Sequence, residues 1–158
     1  MARAATDLLK RSDLLNGLTD EQLARVAELA EPARFDEGAV IVEEDHKSKR
    51  CYLITGGRVD IEIRPPFDGR QPQRIAQLKA GDVFGELSLV DGFLHSASAR
   101  AAEPVETMAF DNGRLEALLT ADPTIGYRVM RNIANILATR MRTTNMKLRN
   151  ALSDALYY

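Results

Sequence analysis

A chain of 158 residues, 45% of them apolar and 28% charged, with a net charge of −2, is long enough to bury one full core. That balance excludes a global basic field for nucleic acid, and the single cysteine, Cys51, excludes an internal disulfide and a cysteine cluster for zinc. The N-terminus lacks the uninterrupted apolar stretch of a signal peptide and no run approaches membrane-spanning length, so the expected location is cytoplasmic, without membrane contact.

In chain order, Leu8, Leu14, Leu15, Leu18, Leu23, Val26, Ala27 and Leu29 recur at helical spacing, and Thr19 with Gln22 reads as a capping box. The first thirty residues therefore read as two short helices, closed by Pro32. From Arg34 to Phe110 the pattern changes to short alternating runs: Val40–Val42, Cys51–Ile54, Val59–Ile63, Ile75–Leu78, Ser96–Ala101 and Val105–Phe110. Turn signals separate them at Asp36-Glu37-Gly38, Thr55-Gly56-Gly57, Pro65-Pro66-Phe67-Asp68-Gly69 and Ala80-Gly81-Asp82. Such spacing predicts a β-sandwich or barrel.

After Phe110 the helical period returns. Asp111 caps a predicted short helix through Leu119, and Asp122-Pro123 places an N-cap before a proline at the first helical position. The long helix that follows carries an apolar face of Val129, Ile133, Ile136, Leu137, Met141, Leu148 and Leu152. Its length exceeds what packing on its own barrel requires, so it is expected to pair with a second copy. The expected division is a barrel with N-terminal helices over 1–122 and a dimerisation helix over 123–158.

The stretch with most chemistry is Gly81 to Ala101, GDVFGELSLVDGFLHSASARA. Gly85 permits close approach of the backbone, and a helix turn starting there presents unpaired N–H groups suited to an anionic phosphate. By local pattern alone, an acidic glycine-bearing turn joining two strands reads equally well.

Here the sequence resembles the phosphate-binding cassette of cyclic-nucleotide-binding domains, the family of the bacterial cyclic-AMP receptor, of protein kinase A regulatory subunits and of cyclic-nucleotide-gated channels. Gly81-Asp82-Val83-Phe84-Gly85-Glu86-Leu87 matches the family signature. Phe35-Asp36-Glu37-Gly38 followed by Val40-Ile41 is similar to its first barrel turn, and Tyr52-Leu53-Ile54-Thr55-Gly56-Gly57-Arg58-Val59 to its Tyr-x-Ile-x-x-Gly strand and turn. The resemblance implies a mainly β fold, an antiparallel jelly-roll (double-stranded β-helix) barrel with short N-terminal helices and a long C-terminal helix.

It also implies roles. Glu86 would accept the ribose 2′-hydroxyl, its other reading being a carboxylate favoured at a helix N-terminus. The ligand set implied around it is Phe84, Gly85, Glu86, Leu87, Ser88, His95, Ser96, Ala97 and Ser98, with backbone N–H groups of 85–87 and 96–97 facing the cyclic phosphate. Ser96 and Ser98 read alternatively as ordinary strand residues. Thr144 and Asn145 fall where the family reaches the base across the dimer.

Two departures stand out. The family's phosphate-binding arginine is His95 here, mostly neutral near pH 7, and Arg100 does not restore the register because it falls in the following strand. Glu44, before Asp45, stands where the family usually has glycine, a change expected to alter only a turn. The expected function is a cyclic-nucleotide sensor for cyclic AMP or cyclic GMP, without a further cofactor, acting as a homodimer on a separate effector. The alternative is a non-binding dimeric scaffold of the same fold, with His95 as an exposed loop residue. Catalysis is not expected, because the isolated His46 and His95 cannot supply the ligand set of a metal cupin. Direct DNA contact is not expected either. The chain stops at Tyr158 without residues for a helix-turn-helix, and Arg128, Arg131, Arg140, Arg142, Lys147 and Arg149 read as a solvated helix face.

Overall fold

A computed structural model describes residues 7, 9–65, 71–92 and 94–156. Leu8 and the predicted turn at 66–69 lie outside the described residues. A 3₁₀ turn, Asp13–Leu15, precedes α1, Asp20–Ala27. Thr19 and Gln22 form the expected reciprocal capping box on α1.

Among the described residues eight strands follow: β1 Ala30–Phe35, β2 Val40–Val42, β3 Arg50–Gly56, β4 Arg58–Ile63, β5 Gln73–Lys79, β6 Val83–Phe84, β7 Ser98–Ala101 and β8 Val105–Asp111. They form two four-stranded sheets, ordered β1-β8-β3-β6 and β2-β7-β4-β5, with antiparallel pairing throughout. This is the jelly roll that the resemblance implied. The helices α2 Leu87–Asp91, α3 Asn112–Ala121 and α4 Pro123–Leu156 complete it.

Two strands escape the sequence pattern. β1 contains Pro32, yet it pairs only with β8, and an edge position tolerates the missing donor. The helical region thus ends at Ala27, not at Pro32. β6 is two residues long, too short for a periodic signal, and the predicted run from Ser96 enters the sheet only at Ser98.

The core has two parts. Between the sheets, Val42, Tyr52, Ile54, Val59, Phe84, Ala99, Ala101, Val105 and Ala109 pack together. Tyr52 stacks on Phe84 with centroids 5.0 Å apart and takes Phe35 edge-on at 6.1 Å. Beneath them, Leu23, Val26, Leu53, Phe110, Leu115, Ile125, Val129 and Ile133 bind the helices to the outer face of the β3–β8 pair. Asp122 Oδ1 accepts from the N–H groups of Thr124 and Ile125 at 3.1 and 3.2 Å, starting α4 as the sequence predicts. At Gly126 any side-chain carbon would sit 2.3 Å from the Leu119 carbonyl oxygen, so glycine permits the close α3–α4 packing.

The apolar face of α4 divides. Val129 and Ile133 are fully buried, whereas Met141, Leu148 and Leu152 are 67%, 56% and 56% exposed. The predicted single stripe is therefore two stripes on different sides of one helix.

Candidate functional site

The cassette begins where β6 delivers Phe84 into the inter-sheet core, fixing the turn that follows. Gly85 has φ +76°, and a Cβ there would stand 2.9 Å from the Arg50 carbonyl oxygen, so the turn packs directly on β3 backbone. Leu87 opens α2. Ser88 Oγ donates to the Gly85 carbonyl at 2.8 Å and accepts from Asn112 Nδ2 at 3.0 Å. The Asn112 N–H donates to the Lys49 carbonyl at 2.8 Å, so α2, the start of α3 and the β2–β3 loop are tied at one residue. Asn112 Oδ1 is buried without a hydrogen-bond partner among the described residues.

Glu86 is 2% exposed. A carboxylate at that depth requires a counter-charge, and Arg140 of α4 supplies it. One guanidinium nitrogen bonds Glu86 Oε1 and another bonds the Val83 carbonyl oxygen. Burial, reinforced by the Glu86 carboxylate, pushes the neighbouring Cys51 thiol up to about 12, so it stays protonated and unreactive.

His95 is 5% exposed, which corrects the expectation of an exposed loop histidine. Its N–H donates to the His46 carbonyl at 3.1 Å, and its carbonyl accepts from the Asp45 N–H at 2.9 Å. Its Nε2 shares a 2.7 Å hydrogen bond with Ser48 Oγ. Burial lowers its pKa, partly opposed by the Glu86 charge, so the imidazole is neutral at pH 7. The second departure, Glu44, lies in the same loop, and the residue after it, Asp45, has φ +63°, a left-handed conformation.

Other predicted residues divide by environment. Ser96 is exposed and Ala97 half-buried, and their N–H groups have no hydrogen-bond partner among the described residues. Ser98 Oγ accepts from the Glu44 N–H at 3.0 Å, so it fastens the 43–46 turn. Arg100 is committed to β4 and the first turn, through Glu62 at 3.1 Å and the Gly38 carbonyl at 2.8 Å. Thr144 and Asn145 are exposed. They lie beyond the part of α4 that packs in the core and, about 100° apart around the helix axis, do not share a face.

The solvated-face expectation fails at Arg140, which is half-buried on Glu86, while Lys147 is exposed and its Nζ donates to the Ile75 carbonyl at 2.6 Å. A signal for both existed in the sequence. Steps of 4, 3, 4, 3 and 4 from Val129 through Ile133, Ile136, Arg140 and Thr143 to Lys147 keep to the side of the helix that faces the barrel, although Thr143 and Lys147 themselves are exposed. Ser48 and Asn112 carried no comparable signal. Among the described residues no group of His, Cys, Asp and Glu forms a metal site, and no helix is long and apolar enough to cross a membrane.

The chain is 28% identical over 151 residues to the CRP-like cAMP-activated global transcriptional regulator of Mycobacterium tuberculosis, covering 96% of this chain and 63% of that protein. It is 30% identical over 140 residues to the cyclic AMP receptor protein of Thermus thermophilus, covering 89% of this chain and 62% of that one. It thus spans under two thirds of the length of these curated relatives. The fold is shared with the crystal structure of a cyclic nucleotide-binding domain from Methylobacillus flagellatus, with a TM-score of 0.83 at 22% identity over 94% of this chain and 85% of that one. The sequence profile of the cyclic nucleotide-binding domain matches residues 32–122, and the chain belongs to that family.

Proposed function

We propose that this domain is a cytosolic sensor that binds cyclic AMP or cyclic GMP in the 84–98 cassette. It signals through α4, as a homodimer acting on a separate effector, without catalysis of its own. The observation that carries the reading is Glu86. A carboxylate held almost wholly out of water and aimed by a guanidinium is an ionised acceptor kept ready for a hydroxyl. The N–H groups of Gly85, Glu86 and Leu87, and those of Ser96 and Ala97, would take the phosphate. Because Arg140 belongs to α4, a ligand hydroxyl arriving at Glu86 acts directly on a partner of the output helix. Thr144 lies on the flank of α4 nearer the barrel and is assigned to the base.

Calorimetric titration with cyclic AMP and with cyclic GMP tests this, and saturable binding of either that weakens in Glu86→Gln is the expected result. The scaffold reading is favoured by one observation, that His95 is neutral and engaged by Ser48. Undetectable binding of both nucleotides at millimolar concentration, in wild type and in His95→Arg alike, would establish it instead.

A further inference from the structure

Arg140 bonds Glu86 and Val83, and Lys147 bonds Ile75, so these two residues mark the side of α4 that faces the barrel. Arg131 and Arg149 each stand nine residues from Arg140, and Arg142 stands two. At about 100° per residue, all three lie within about 20° of the opposite side of the helix. The steps from Arg131 through Asn135, Ala138, Arg142 and Asn145 to Arg149 are 4, 3, 4, 3 and 4, so the six residues form one stripe about 27 Å long. The three arginines are exposed, and among the described residues their side chains have no ion pair or hydrogen bond. Arg25, Arg58 and Arg100, by contrast, are each paired with a carboxylate. Residues 123–153 hold six basic residues and no acidic one, so in a chain of net charge −2 the remainder carries −8.

We propose that this arginine ridge is the docking surface for the separate effector, and that the effector meets it with an acidic helix whose carboxylates recur every three or four residues. The proposal rests on the reading of α4 as the output element. Guanidinium forks take carboxylates in bidentate pairs. The amides of Asn135 and Asn145 supply further donors between them, and the small Ala138 lets a second helix come close at the middle of the stripe. Charge also selects among acidic partners. RNA, DNA and an anionic membrane all extend past the ridge and bring their charge against a body of net −8, whereas a single acidic helix ends with it. The stripe also has no aromatic side chain on which bases could stack.

The test is fluorescence anisotropy of a labelled helical peptide of about 18 residues, the length of the ridge, with glutamate along one face. It is titrated with the full chain and with the triple variant Arg131→Gln, Arg142→Gln, Arg149→Gln. Saturable binding by wild type is expected, weakened at least ten-fold in the variant and weakened again as salt rises from about 0.05 to 0.5 M. Glutamine keeps the helix and no partner is lost, so melting temperature, sedimentation and calorimetric titration with cyclic AMP and cyclic GMP should not change. Equal binding by the variant, or none by wild type at millimolar peptide, overturns the proposal. So does tighter binding of an oligothymidylate of equal charge, or of phosphatidylserine vesicles, that is lost in the same variant; the ridge would then belong to nucleic acid or to a membrane. A variant that sediments differently from wild type also overturns it, placing the arginines in a contact between copies. Peptide binding by a chain that takes neither cyclic nucleotide supports the ridge and removes the sensor reading instead.

Discussion

Glu86 and Arg140 form an ion pair, and changing each has a different consequence. In Glu86→Gln the amide oxygen still accepts from Arg140, so the melting temperature should move only a few degrees. The ionised acceptor for ribose is lost, and affinity should fall roughly ten-fold or more by calorimetry. Equal affinity would remove Glu86 from the site. Arg140→Gln strands a buried carboxylate, which should lower unfolding stability in urea by about 1–3 kcal/mol. That figure sits below the cost for a fully buried pair because the Arg140 side chain is 36% exposed. At His95 the sign of the pH effect follows from its lowered pKa. The unfolded chain binds the proton more readily, so stability is complete above the ordinary histidine value of 6.5 and falls as pH drops through it. A bound phosphate favours the protonated ring, so affinity should rise over that same fall in pH. His95→Arg should tighten binding roughly ten-fold or more and flatten the trend; an unimproved mutant would mean that the imidazole does not address the phosphate. Sequence shows that histidine replaces arginine here. It does not show that loop 43–48 closes over the ring, because residues nearly fifty positions apart are joined only by the fold.

At the scale of elements, periodicity located six of the eight described strands, and Thr19, Asp111 and Asp122 marked the starts of α1, α3 and α4, while Ser12, which caps the 3₁₀ turn, was missed. Periodicity missed β1, where Pro32 imitates a helix stop, and β6, which is shorter than any period. The α3–α4 corner offers a direct test. Alanine for Gly126 would gain about 1 kcal/mol in helix propensity, but its methyl would meet the Leu119 carbonyl at 2.3 Å. A steric conflict with backbone outweighs propensity, so Gly126→Ala should destabilise by roughly 1–3 kcal/mol in chemical denaturation. A stabilised variant would show that the corner relaxes freely.

For the whole molecule, the 34 residues of α4 extend about 51 Å, and the core takes up only its first part. Deleting residues 141–156 should therefore leave a folded barrel that sediments as a monomer at tens of micromolar. A surviving dimer would move the contact to the barrel. The deletion would have a second effect, seen from the sheet. Among the described strands β5 pairs only with β4, leaving a line of unsatisfied backbone groups beside Ile75, itself 39% exposed. Such a margin is a template for strand addition by another chain, and a lysine across it is a common safeguard. Lys147 provides that protection from a distance of 72 residues. On the proposed function, α4 would therefore also guard that edge, and movement of its far end during signalling would briefly bare an adhesive margin. Lys147→Ala should accordingly scatter more light on prolonged incubation than wild type, with its melting temperature nearly unchanged.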